Sequence, residues 1–293
     1  MLALIIYIVL STAFGLIVKD SQVRGQKLLA LGAINYITAA IGAWIFLLRL
    51  VGEEPGFVGN TDWYFLQFSS VTLIVGVLAG LGYVVGYFVL LAAVKREGIS
   101  ITMAVIRLSI AIPVLFSIFV WHEKPSIYQI IGIIFVCVSL PLLSQNRPAE
   151  EHHYRKGDLI VLFLLFLVGG WCGLAPKMFV QASPQDSHEI FLVFLFCSAA
   201  LVNVVSLIIF RAAPTLKELL PGIMLGLCNI LSNYFLLDAL HTLPGIIVFP
   251  VASSVGVVLN TTLAVMIWSE RLRRPVVVGI VISVLALVLI NLP

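Results

Sequence analysis

Charge is scarce in this sequence: 17 Lys and Arg and 14 Asp and Glu make up 11% of its 293 residues, against 61% hydrophobic. So little polar side chain cannot cover a water-soluble globule. The net charge of +3 is spread over short connections and leaves no basic face for nucleic acid. Cysteine is scarce too, and Cys137, Cys172, Cys197 and Cys228 all fall inside apolar runs without the close spacing of a metal or disulfide cluster, which points to packing. Long polar stretches are also missing. The longest, 51–62 and 145–157, hold a turn or a brief surface helix, not a soluble domain. The first apolar run lacks a basic n-region and a small-residue cleavage site, so it is expected to be a retained helix.

What is present is a series of apolar runs. About 20 residues at 1.5 Å each cross a hydrocarbon layer, and runs of that order occur at 2–18, 28–48, 65–94, 99–121, 126–144, 158–180, 189–210, 219–240, 245–268 and 275–291. The expected fold class is an all-α integral membrane protein with ten transmembrane helices. Trp63 and Tyr64 suit an interfacial start to the third. Assigning the connections alternately to two sides puts most cations on one of them: those between Lys19 and Lys27, Lys95 and Arg96, those between Arg147 and Lys156, Arg211, Lys217, and those between Arg271 and Arg274. The other side holds Arg49, Lys124 and Lys177. Positively charged short loops resist translocation, so the first side is expected to be cytoplasmic, with both termini non-cytoplasmic and the plasma (inner) membrane as the location.

The phrase "WHEKP" at Trp121–Pro125 returns as "WSERLRRP" at Trp268–Pro275. Laying 76–143 over 222–290 aligns Gly80-Leu81 with Gly226-Leu227 and, after a one-residue slip, Trp121, Glu123 and Lys124 with Trp268, Glu270 and Arg271. Gly15-Leu16 and Lys19 align with Gly173-Leu174 and Lys177. The chain therefore reads as two units, 1–146 and 147–293, of five helices each. Five is odd, so the second unit enters the membrane inverted, and such repeats hold their substrate at the midplane interface.

With these residues the sequence resembles the drug/metabolite transporter superfamily in its EamA-type branch. The likeness rests on a Gly and a Lys in the first helix of each unit, and on the Glu-Lys or Glu-Arg pair before a fifth helix with an early Gly. It implies alternating-access transport of amino acids, small metabolites, sugars or drugs, without a cofactor. The small four-helix multidrug members carry a coupling glutamate in their first helix. Helices 1 and 6 here have no acid in mid-span, so their proton-antiport mechanism is not carried over.

Arg107, in "MAVIRLSIAIPVL", is the most informative residue. A charge deep in a span costs about 2.5–3.5 kcal/mol on insertion scales and usually faces a cavity or partner. Its guanidinium suits a carboxylate or phosphate, or else bonds backbone carbonyls of a neighbouring helix. Asn229 and Asn233 stand at i and i+4 on one face of the eighth helix. With Asn35, Tyr36, Tyr83, Tyr87, Ser253, Ser254 and Asn260 they form the candidate substrate-binding set, each with interhelical bonding as the alternative. Asp238 and His241 are candidates for proton or ion coupling, or a helix end wetted by headgroups. Glu123 and Glu270 are read as caps on the helix that follows each, opened by proline, or as gating residues. Pro113 and Pro250 are expected to kink the fourth and ninth helices. Glycine pairs in "GVLAG", "GYVVG" and "GIMLG" predict tight helix packing within the chain, with a dimer contact as the alternative.

"HEKPS" begins like a zinc-protease motif, but Ser126 stands where the second histidine is needed, and His152-His153 lies in a charged loop. Neither supports an enzyme. The expected function is secondary transport of a small polar or anionic metabolite, as a monomer or homodimer surrounded by lipid, with drug export and sugar uptake as alternatives.

Overall fold

The computed structural model describes residues 1–53, 68–143, 156–211, 213–268, 274–290 and 292. Glu270, the boundary at 146/147, and Arg147, Arg155, Arg271 and Arg273 lie outside the described residues, as does the side chain of Arg107. Ten helices follow one another: α1 (Leu2–Val23), α2 (Leu28–Glu53), α3 (Ser70–Leu108), α4 (Ala111–Phe119), α5 (Ile127–Leu143), α6 (Lys156–Ala182), α7 (His188–Phe210), α8 (Leu216–Thr242), α9 (Gly245–Trp268) and α10 (Arg274–Ile290). Among the described residues there is no strand. That is the expected consequence of placing a peptide backbone in lipid, where helices satisfy their own hydrogen bonds. Six helical stretches are long and apolar enough to cross a membrane, and Ile127–Ser139, Gly245–Asn260 and Arg274–Ile290 are shorter apolar ones.

No break in helical bonding marks the connection expected near 95–98 between the third and fourth predicted spans. Helical bonding continues from Ser70 to Leu108 and breaks at Ser109 and Ile110. Pro113 is the cause. Proline lacks the N–H that would bond the carbonyl four residues back, and its ring crowds that carbonyl. The carbonyl concerned is that of Ser109, which instead accepts the Ile112 N–H at 3.1 Å. Although α3 is one helical run by its bonds, it holds two limbs. Gly86 packs on Val168 of α6 while Ser109 packs on the adjacent Gly169. A straight helix would separate positions 86 and 109 by about 34 Å at 1.5 Å per residue. The second limb and α4 together make up the fourth predicted span. Pro250 sits inside α9 without breaking it.

Pro221 inside α8 leaves the Lys217 carbonyl without its helical donor, and the Gln26 side-chain amide supplies one at 2.9 Å. The same helix begins with a capping box in which Thr215 and Glu218 bond reciprocally, and Glu218 also accepts the Lys27 N–H at 3.3 Å. The α1–α2 turn thus meets the α7–α8 turn. At the opposite end Asp186, between α6 and α7, accepts from the Ser69 N–H at 2.8 Å and the Thr72 hydroxyl and caps α3. Connections assigned to one side by their charge are the ones that touch.

Helix pairing has an exchange symmetry. α1 packs on α8 as α3 packs on α6; α2 on α8 as α7 on α3; α1 on α9 as α6 on α4; and α2–α7, α4–α9 and α5–α10 pair with their own counterparts. Close approach relies on the predicted glycines. A Cβ at Gly76 would lie 2.8 Å from Phe194 on α7, one at Gly82 2.5 Å from Trp171 on α6, and one at Gly222 2.7 Å from Ile34 on α2. All of these contacts are within the chain. The first half of α7 lies at the centre, with Phe191, Leu192, Leu195 and Phe196 fully buried, whereas its last turns and α1, α5 and α10 expose apolar residues such as Ile208, Ile5, Ile134 and Val281.

Candidate functional site

Between the limbs of α3 and helices α1, α2, α6 and α8 lies a cavity of about 340 Å³. It is lined by Tyr7, Ser11 and Phe14 of α1, Tyr36 of α2, Tyr83, Gly86, Tyr87, Leu90 and Ile106 of α3, Leu165, Gly169 and Cys172 of α6, and Asn229, Ser232, Asn233 and Leu236 of α8. The size falls in the small-ligand range, of about 300–1,000 Å³. Its walls are aromatic and aliphatic, with polar groups converging from several helices.

Those polar groups are ordered by a ladder of amides. The Tyr83 hydroxyl donates to Asn233 Oδ1 at 2.9 Å, Asn233 Nδ2 donates to Asn229 Oδ1 at 2.9 Å, and Asn229 Nδ2 donates to Asn35 Oδ1 at 3.2 Å. Asn233 Nδ2 also reaches the Asn229 carbonyl at 3.0 Å. The i, i+4 spacing of the two α8 asparagines allows the middle rung, and the close approach of Gly226 to α2 allows the last. A Cβ at Gly226 would lie 2.7 Å from the Asn35 carbonyl oxygen. The ladder fixes each amide's orientation, because a flipped amide would set donor against donor.

The hydroxyl of the cavity residue Tyr87, and Asn203 Oδ1 outside the lining, are buried without a partner among the described residues. Both face Gly32, whose Cβ position lies 3.7 Å from Asn203 Oδ1 and 3.9 Å from the Tyr87 ring. Asn203 is fully buried on α7 and spends its Nδ2 on the Ala199 carbonyl.

Of the predicted substrate-binding residues, Tyr36, Tyr83, Tyr87, Asn229 and Asn233 line the cavity, and Asn35 backs it through Asn229. Ser253, Ser254 and Asn260 do not line it. Asn260 bonds back to the Gly256 carbonyl at 2.9 Å and lies against Gly15 of α1, while the Ser254 hydroxyl is buried without a partner. Arg107 lies one residue after the cavity-lining Ile106, in the last turn of α3. Asp238 and His241 stand beyond the cavity at the end of α8, where the His241 and His188 rings are 5.4 Å apart and His188 also meets Tyr234.

Tyr7, Ser11 and Phe14 were not among the predicted residues, nor was Cys172 assigned to the site. The signal for the first three is their i, i+4, i+7 spacing, which places a phenol, a hydroxyl and a ring on one face of α1. Among the described residues no group of His, Cys, Asp and Glu is arranged to hold a metal ion.

Glu123 departs from the expectation that it caps the following helix. Its carboxylate accepts the N–H groups of Gly245 at 3.0 Å and Ile246 at 2.9 Å, so it caps α9. The first turn of α5 has its own reciprocal cap between Ser126 and Gln129. Lys177 belongs to the sixth span, as its alignment with Lys19 implies, and not to a connection. It lies inside α6, 2% exposed, with Nζ 2.9 Å from Glu123 Oε1.

Comparison with known proteins agrees with this architecture. Residues 1–145 match the family model described as the EamA-like transporter family. An "Uncharacterized protein" of Haemophilus influenzae is 28% identical over 97% of this chain and 95% of its own length. A "Probable glucose uptake protein GlcU" of Priestia megaterium is 26% identical over 76% of this chain and 78% of its own, and one of Bacillus anthracis is 22% identical over 73% and 75%. A solved crystal structure of another protein superposes with a TM-score of 0.78 over 99% of this chain and 95% of that one, at 15% identity, which shows the fold alone.

Proposed function

Because residues 1–145 are an EamA-like transporter family domain and the chain is a multi-pass membrane protein, we propose that it carries a small uncharged polar solute of the sugar class. Carriage is by alternating access, as a secondary transporter without catalytic chemistry. The two units, divided near 146/147, enclose the cavity, and rocking of one against the other opens it to one face at a time. The observation that carries this reading is the cavity's hydrogen-bonding inventory. The described polar side chains lining it are phenols, hydroxyls, amides and a thiol, all uncharged. Tyrosine rings give a sugar flat apolar faces to lie on, while its hydroxyls bond the amides. The names of the Priestia and Bacillus relatives support the same class.

An anionic metabolite is the second reading. It is favoured by Arg107 following a cavity-lining residue. Asp238 and His241 remain our candidates for coupling to a proton or ion. The α1–α2 and α7–α8 turns meet through Gln26, Lys27 and Lys217; from their cations we propose that they face the cytoplasm, in the plasma membrane, with both termini outside.

The test is uptake of labelled glucose into proteoliposomes in competition with neutral sugars, amino acids, organic acids and cationic drugs. Competition by neutral sugars is expected. Competition by carboxylates alone, abolished by Arg107→Gln, would replace this reading with the anionic one.

A further inference from the structure

Lys177 is a buried cation, and its described partners all belong to the other unit of the chain. Its Nζ ion-pairs with Glu123 and lies 5.9 Å from the centroid of the Trp121 ring. The same carboxylate receives the two N–H groups that open α9, so one side chain ties the α4–α5 connection to both α6 and α9. His122, next to it, is held at φ 53, a conformation that non-glycine residues adopt only when their surroundings compel it. The Glu123 N–H is fixed on the Ser117 carbonyl at 3.0 Å, which completes the aim of the side chain.

The position of this knot is informative. On α6 the cavity is lined up to Cys172, and Lys177 stands five residues further on, about 7.5 Å along the axis at 1.5 Å per residue. The knot therefore lies between the cavity and the membrane face that carries Trp121. Glu123 keeps a side-chain exposure of 13%, so water reaches its edge. A contact of this kind differs from apolar packing. Pulled apart, both charges are rehydrated at that face, and the gain from hydration nearly balances the loss of the pair. Closure by charge at a wetted edge is thus reversible in a way that interlocked aliphatic side chains are not.

We infer that Glu123 and Lys177 are the latch that closes the cavity toward the Trp121 face, and that this structure shows the latch shut. The inference rests on the transporter reading for its purpose, but its geometry can be tested without knowing the substrate. It also accounts for the motif: tryptophan covers the lysine, glutamate both pairs with it and caps α9, and Pro125 turns the chain into α5.

The experiment uses the full chain in proteoliposomes, with Cys137, Cys197 and Cys228 replaced by alanine so that the cavity residue Cys172 is the reporter. A membrane-impermeant maleimide is applied from each face in turn. With the latch intact, labelling from the Trp121 face is expected to be slow. Glu123→Gln and Lys177→Met are each expected to raise that rate at least tenfold and to lower labelling from the opposite face. Should either single variant fail to fold, the double variant Glu123→Gln/Lys177→Met, which leaves no unpaired charge, is measured instead. Variants that lose thermal stability but keep the wild-type ratio of labelling between faces would make the pair a structural brace and overturn the latch. Labelling that is absent from both faces in every folded variant would overturn it too. Sugar uptake is scored on the same preparation. Latch-dependent labelling without uptake overturns the sugar reading and leaves the latch standing, whereas uptake with latch-independent labelling does the reverse.

Discussion

Replacing Gly226 by alanine tests how packing sets up the cavity. The new methyl carbon would lie 2.5 Å from Thr38 Cβ and 2.7 Å from the Asn35 carbonyl oxygen. Carbon atoms in good contact sit about 3.5–4.0 Å apart, so α8 must move from α2 by about 1 Å. Overpacking of this kind costs about 1–3 kcal/mol. Exchanging glycine for alanine inside a helix returns up to about 1 kcal/mol of propensity, which would mask part of the loss. Gly256→Ala is the internal control, because nothing lies within 4 Å of its Cβ position. The difference between the two variants cancels the propensity and isolates the clash, about 1–3 kcal/mol, or melting temperatures about 2–12 °C apart. A shift of about 1 Å would also stretch the 3.2 Å Asn229–Asn35 bond past its useful range, so ligand-induced stabilisation should fall together with Tm. The assay is thermal denaturation in nanodiscs with and without saturating sugar. Equal melting temperatures for the two variants would refute the close helix contact, and an unchanged ligand shift in Gly226→Ala would refute its link to the ladder.

Tyr87→Phe removes a buried hydroxyl without a partner among the described residues, so Tm should hold or rise while sugar binding weakens about 2- to 12-fold, the equivalent of one neutral hydrogen bond; calorimetric titration checks this, and unchanged affinity would exclude that hydroxyl from the site. Asn233→Ala strands the Tyr83 hydroxyl and Asn229 Oδ1 together, so both stability and affinity should fall, each by about 1–3 kcal/mol. Ser283→Ala removes the 2.9 Å bond to Ser139 between α10 and α5 and should cost about 0.6 kcal/mol, the usual worth of such a bond between membrane helices, with uptake unaffected.

Much of the fold was legible because the lipid imposes one rule on every span. Long apolar runs had to be helices. The cavity's asparagines and tyrosines on α2, α3 and α8 could be read because amides and phenols are conspicuous in such runs. Tyr7, Ser11 and Phe14 were not conspicuous, since each is ordinary in a membrane helix and only their shared face sets them apart. The break at Ser109 could be read from Pro113, expected to kink the fourth helix, and not from the hydropathy profile, which runs on smoothly there. Glu123 was misjudged for a related reason. Sequence neighbours suggested a cap on α5, whereas its partners come from 54 and more positions away in the chain. Asn260 shows the converse, a polar residue whose needs are met by its own helix.

The central claim is that the tyrosine and asparagine cavity is where the transported solute sits. Protection of Cys172 from maleimide by that solute tests it most directly, using the Cys172-only protein in proteoliposomes that show uptake. The account predicts that labelling slows as the solute is added, with half-protection at the concentration that half-saturates uptake. A solute that is carried at a full rate while Cys172 reacts at its original speed would contradict it.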